Sequence, residues 1–280
     1  MCFRFPRTFL TAAIGVGLAC SLPPSSFAQS ATSVHEKTLT FCADPHNLPF
    51  SNSKEQGFEN RIAAIVAADL HARAIYTWQR MDRGFVREYL NKSACQVLTG
   101  VPNRYPHVLT TEPYYRSTYV FVYRHNAAAK PDSLNDPALR KLKIGVQAVG
   151  EEYTPPGEAL ARRGMQAAIV PFHTNGGDES EILDAVASRR IDGAIIWGPE
   201  AGYFAQKYGK TLELVPVTPQ MDPPGVPFTF AISMGVKKGN EILRDQIDAA
   251  LERHESEIRK ILKSYGVPQI DLAAHGEASR

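Results

Sequence analysis

The residues whose types could do chemistry are few and widely spaced. Arg104, in "PNRYP", offers a guanidinium that could clamp a carboxylate, or an ordinary surface charge. Glu151 and Glu152 are adjacent and read as a solvated pair. Trp197 ends the apolar run "DGAIIW", and a Gly-Pro pair then turns the chain into the helix-like "GPEAGYFAQKYG". A large aromatic at the mouth of a buried strand is core, a ligand platform or a docking surface. The eight histidines are scattered without a His-x-x-x-His pair, and the carboxylates form no calcium loop. There is no Gly-x-Ser-x-Gly elbow, and "IGVQAVGEE" lacks the glycines of a dinucleotide or phosphate loop. No metal, no cofactor and no catalytic constellation is therefore expected.

The N-terminus sets the compartment. Arg4 and Arg7 precede a short apolar stretch, and Ser26-Phe27-Ala28 has the small-x-small form of a cleavage site. Residues 1–28 thus read as an export signal, too short to span a bilayer comfortably. The alternative, a lipid attached at Cys20, is weakened by Gly17, where a branched aliphatic residue is expected. Loss of the segment removes two arginines, leaving 29 basic against 29 acidic residues in place of the formal charge of +2. Such a balance gives no concentrated cationic face for nucleic acid. No other segment reads as a membrane span. Of the four cysteines, Cys42 and Cys95 remain after cleavage. In an oxidising compartment one disulfide is the simplest reading, with two buried thiols as the alternative.

The elements that must position these residues alternate. "LTFCAD" is strand-like, and "FENRIAAIVAADLH" places Phe58, Ile62, Ile65 and Val66 on one helical stripe. "AIYTW", "RGFVREYLNK" and "CQVLTGV" continue as strand, helix and strand, which argues for a parallel sheet with helices on its faces. The long strand "STYVFVYR" carries Tyr119, Phe121 and Tyr123, and with Tyr114 before it about half of this aromatic set is expected to pack. A second strand-helix series runs from "LKIGVQ" to "LELVPV". A second long strand, "FTFAISMGV", and one terminal helix from "NEILRD" to "LKSYG" follow. The expected fold class is α/β: two α/β lobes joined by two long hinge strands. The expected boundaries are 39–122 with 226–268 for the first lobe, 123–225 for the second, and 269–280 as a loose tail.

The strand-loop-helix "LTFCADPHNLPFSNSKEQGFENRIAAIVAADL" resembles the opening of type II periplasmic solute-binding proteins of the polar amino-acid class. In that class a Pro-Phe overlooks the ligand and a Gly-Phe-acid triplet starts the first helix; here these are Pro49-Phe50 and Gly57-Phe58-Glu59. "TTEPYYRSTYVFVYR" is similar to its entry into the first hinge strand, with Glu112 in place of Asp. Within the class, "CADPHNLPFSN", "GFENRIA", "PYYRSTYVFVYR", "IIWGPEAGYFA" and "PFTFAISMGV" together resemble the MoxJ/XoxJ family. These periplasmic proteins are associated with PQQ-dependent methanol dehydrogenases. The resemblance implies a non-catalytic accessory protein with such a dehydrogenase as partner.

Set against that template, Arg104 has the spacing of a carboxylate-clamping arginine, nine residues before Pro113. The strand end that would carry an acid for an ammonium group has Trp197, and Val101 replaces a hydroxyl residue. The expected interlobe cleft is therefore aromatic, with Phe50, Tyr115, Trp197 and Tyr203, edged by Asp44, Asn47, Arg104, Gln147 and Glu200. Tyr115 and Tyr203 stand at strand-helix junctions, where partial burial in the core is equally expected. Such a cleft suits a small flat organic ligand or an inserted loop of a partner. The competing function is a receptor delivering a small carboxylate or aromatic compound to an ABC importer.

Overall fold

Two long strands, paired with each other over the first four residues of each, organise the chain. The computed structural model describes residues 37–80, 86–149, 152–173 and 180–270. The expected export signal 1–28, Glu151 and residues 271–280 of the expected tail 269–280 lie outside these.

The first lobe opens with β1 (Thr38–Ala43), the small hairpin β2 (His46–Asn47) and β3 (Ser51–Asn52), then α1 (Phe58–Asp69) and β4 (Arg73–Trp78). Of the helix expected over residues 83–92, the described part is a π-helical turn at Val86–Leu90; residues 83–85 lie outside the described residues. Then follow β5 (Val97–Pro102), β6 (Leu109–Thr110) and the first hinge strand, β7 (Tyr115–Arg124). The second lobe holds β8 (Ile144–Val149), β9 (Glu152–Tyr153), α2 (Pro155–Arg162), β10 (Ile169–His173) and α3 (Ser180–Ala187). It continues through β11 (Gly193–Trp197), α4 (Gly198–Ala205) and β12 (Leu212–Pro216) to the two-residue strands β13 (Met221–Asp222) and β14 (Val226–Pro227). The chain returns on β15 (Thr229–Val236) and ends in α5 (Glu241–Arg253) and α6 (Glu255–Ser264). The expected bilobal α/β architecture is the one observed.

The main sheet runs β10-β8-β11-β7-β15-β5-β1-β4. Within each lobe the βα series is parallel: β1 with β4 and β5, and β8 with β10 and β11. The hinge strands are antiparallel to these and to each other. Residues 115–118 of β7 pair with β15, and from Tyr119 onward β7 pairs with β11.

The first core is built by α1, α5 and α6 on the sheet. On α1, Phe58, Ile62, Ala63, Val66 and Ala67 are buried, while Ile65 of the expected stripe is half-exposed. The inward face is thus wide and lined with alanines, which lets the helix lie close to the strands. The terminal helix is two helices, not one. No Pro or Gly interrupts its sequence; the break is tertiary, at His254 (φ −103°, ψ 11°). Its ring bridges Asp69 at the end of α1 (3.1 Å) and Glu257 (3.2 Å), beside the Arg253–Asp69 pair.

Under β5, Cys42 and Cys95 are buried and joined as a disulfide, 53 residues apart, with Cα atoms 5.4 Å from each other. Closing a loop of that length removes enough freedom from the unfolded chain to stabilise the fold by about 4 kcal/mol. The double variant Cys42→Ser/Cys95→Ser is expected to lose roughly that much in urea unfolding, with the far-ultraviolet spectrum unchanged.

Candidate functional site

A cavity of about 440 Å³ opens between the lobes. The first lobe lines it with Asn47, Phe50, Ser51 and Glu59, and with Thr99, Gly100 and Pro102 of β5. The hinge strands add Tyr115, Tyr119, Phe230 and Ile232. The second lobe adds Gln147, Thr154, Trp197 and Glu200.

The corner carrying Phe50 and Glu59 is set by the start of α1. The N–H groups of a first helical turn have no partners within the helix. Here the Phe58 N–H donates to the Pro49 carbonyl (2.8 Å) and the Glu59 N–H to the Phe50 carbonyl (3.0 Å). That approach requires glycine at 57, because a Cβ there would stand 1.9 Å from the Phe50 oxygen. Asn60 closes the corner by accepting from the Gly57 N–H (3.1 Å) and the Asn52 N–H (3.2 Å). The Phe50 ring then leans on Phe58, centroids 5.3 Å apart.

Glu59 is 2% exposed. The Tyr114 hydroxyl donates to its Oε2 (2.6 Å) and accepts from the Gly100 N–H (3.1 Å). Oε1 is buried without a hydrogen-bond partner. Burial pushes the carboxyl up to about 8, against the pull of the Tyr114 and Tyr115 hydroxyls. At neutral pH the group is therefore mostly a protonated acid. Burial and the same carboxyl push Tyr114 and Tyr115 well above the usual phenol range, so both stay neutral donors.

On the opposite wall, β11 ends at Trp197 and α4 starts immediately after it. Gln147 of β8 ties the two together: its Oε1 accepts from the Trp197 N–H (3.3 Å) and its Nε2 donates to Glu200 (2.7 Å). The half-buried Trp197 ring meets Tyr119 at 5.3 Å and Phe230 at 5.7 Å, both edge-on. Thr154, before α2, leaves its Oγ1 buried and unpaired. Among the described lining residues the ionisable groups are Glu59, Glu200 and two tyrosines, with no Lys, Arg or His.

Six of the residues expected at the cleft line this cavity: Asn47, Phe50, Tyr115, Gln147, Trp197 and Glu200. Three lie elsewhere. Asp44 accepts from the His46 N–H (2.9 Å) at the turn that leads into β2. Arg104, at φ 61°, lines a separate hollow with Arg116, Gln220 and Met221. Tyr203 stacks on Tyr265 (5.6 Å), with Arg61 over the Tyr265 ring. Sequence reasoning missed Glu59, Thr154, Tyr119 and Phe230 as cavity residues. The signal for Glu59 was the Gly-Phe-acid triplet, read there only as a helix start. The strand end carries Trp197 where an acid was expected, yet two carboxyls face the cavity from helix starts instead.

No protein-family model matches the chain. Protein MoxJ of Methylorubrum extorquens is 30% identical over 283 aligned residues, covering 95% of this chain and 93% of that protein. The chain belongs to the MoxJ family. The crystal structure of MxaJ from Methlophaga aminisulfidivorans matches 83% of this chain and all of its own, at 28% identity and a TM-score of 0.71. The periplasmic binding protein XoxJ from Methylobacterium extorquens AM1 matches 84% of this chain and all of its own, at 34% identity and a TM-score of 0.67. The family thus has the type II periplasmic binding protein fold, and this chain shares it.

The raised pKa of Glu59 makes stability depend on pH. The folded protein holds a proton up to about pH 8 that the unfolded chain releases near its ordinary value of 4.5. Its contribution is complete below about pH 4.5 and is lost as pH rises through about 8, by an amount on the order of a few kcal/mol. Glu59→Gln, which keeps the acceptor for Tyr114, is expected to flatten that fall in a series of thermal melts from pH 5 to 8.

Proposed function

We propose that this chain is a non-catalytic periplasmic accessory protein that assists a PQQ-dependent methanol dehydrogenase in its maturation or activation. In this reading the aromatic cavity between the lobes is the contact site, and residues 1–28 deliver the protein to the periplasm by cleavage after Ala28. The observation that carries it is membership of the MoxJ family across 95% of the chain. The place of Arg104 supports it. A zwitterionic amino acid needs a cation for its carboxylate once both are desolvated. The guanidinium with the expected spacing, Arg104, lines another hollow.

A second reading, a solute receptor for an ABC importer, draws on the size of the cavity, about 440 Å³, within the range that takes a small molecule. The two readings part in one experiment. Epitope-tagged protein, crosslinked in the periplasm of methanol-grown cells, is expected to capture the dehydrogenase. Trp197→Ala, which removes the central aromatic of the cavity, is expected to cut capture about tenfold or more. Capture of an inner-membrane permease in place of the dehydrogenase would favour the receptor and reject the accessory role.

A further inference from the structure

The chain passes between the lobes on β7 and again on β15, and after α6 it meets the second lobe a third time. We propose that residues 265–270 are a strap that fixes the two lobes to each other, so that the cavity is permanently formed and does not open and close around its occupant. This goes beyond the proposed function and does not depend on which partner the cavity serves.

The strap begins at a helix end built on glycine. Gly266 has φ 71°, and the Gly266 and Val267 N–H groups return to the Lys263 and Leu262 carbonyls, both at 3.0 Å. The chain then leaves the first lobe and runs against α4. Gly198 and Gly202 lie four residues apart on that helix and so share a face. A Cβ at Gly202 would stand 1.9 Å from the Gly266 oxygen, and one at Gly266 would stand 2.6 Å from the Gly202 oxygen. The two backbones therefore touch, with no room for a side chain on either. Glycine inside a helix weakens it, so its place at 202 answers to this contact. At Gly198 a Cβ would meet the Thr118 oxygen at 2.4 Å and Pro268 at 3.3 Å.

Other contacts flank the glycine pair. Gln206, just past α4, donates from Nε2 to the Ser264 carbonyl (3.3 Å). Tyr203 of α4 stacks on Tyr265 with the rings 19° from parallel. Tyr265 is buried, donates its hydroxyl to the Gln56 carbonyl and meets Phe58 edge-on at 5.8 Å. Farther on, the Ser117 hydroxyl donates to the Pro268 carbonyl (2.7 Å), and the Ile270 N–H donates to the Arg116 carbonyl (3.0 Å). The strap is thus held by the first lobe on one side and by α4 on the other, and it ends on β7.

Hinged lobes open by changes at a few residues of the connecting strands. Here such an opening would have to part α4 from α6. It would break the glycine contact, the Tyr203–Tyr265 stack and the Gln206 bond together. α4 starts directly after Trp197 and carries Glu200, and both residues line the cavity. The strap thereby holds that wall at a set distance from Phe50 and Tyr115 on the facing side.

The test reads the separation of the lobes by double electron–electron resonance. Nitroxide labels are placed on the mature chain through Ala68→Cys on α1 and Glu158→Cys on α2, both exposed, while Cys42 and Cys95 stay joined. With the native strap a single distance is expected. Gly202→Ala, which forces the strap off α4, is expected to add a second distance. Hydrogen exchange gives a local reading: the Val267 and Ile270 amides are expected to exchange about a hundredfold or more slowly than in an unstructured chain, and about tenfold faster in Gly202→Ala. Tyr203→Ala, which removes the stack and leaves the backbone contact, carries the same two measurements should the thermal melt show Gly202→Ala unfolded. Two distances with the native strap, or exchange of those amides at the unstructured rate, overturn the proposal. So does an unchanged distance in a folded variant whose strap exchanges faster, because the lobes are then fixed by something else. No reading involves the dehydrogenase, so a failed capture leaves this test standing.

Discussion

The cavity hangs from the backbone hydrogen bonds between β7 and β15. Thr118 pairs with Thr229 and Tyr115 with Ile232, so the two crossings are one antiparallel ribbon rather than two separate links. Beyond that ribbon the strands part. β7 passes to β11 and β12, and β15 passes to β5 and β6. Side chains along a strand alternate between faces, which presents Tyr115, Tyr119, Phe230 and Ile232 to the space between the lobes. The Thr118 hydroxyl, buried and donating to the Phe228 carbonyl (3.0 Å), reinforces the place where the strands meet. Every other wall of the cavity is referred to this ribbon.

The two acidic corners share one construction. Glu59 lies in the first turn of α1 and Glu200 in the first turn of α4, so each lobe aims a helix start and a carboxyl at the same space. A helix N-terminus favours an ionised acid, while burial opposes it. At Glu59 burial wins and the acid holds its proton.

Much of this was legible in the chain. Alternating strand and helix patterns, the two long aromatic strands and the paired cysteines led to the bilobal α/β fold and the Cys42–Cys95 bond. Trp197, at a strand end followed by Gly-Pro, became a cavity candidate only against the solute-binding template; its position alone was equally that of a core residue. Arg104 was misleading because its spacing from Pro113 says nothing of direction. It lines a neighbouring hollow with Arg116 and Met221 and is not among the residues lining the cavity. Tyr203 was misplaced for a related reason: the face of α4 it occupies meets Tyr265 of the terminal segment, a contact between residues 62 positions apart.

What the sequence by itself determined is local: which segments are strands and helices, and where their apolar faces lie. Gly57 belongs here too, since only glycine admits the Phe50 carbonyl so close to the helix start. The tertiary structure decided which acids face the cavity and in which protonation state. That outcome depends on burial by residues far along the chain, Tyr114 above all, and desolvation has no signature in a linear pattern. It also decided the break at His254, where a bond to Asp69 across 185 positions overrides an unbroken helical sequence.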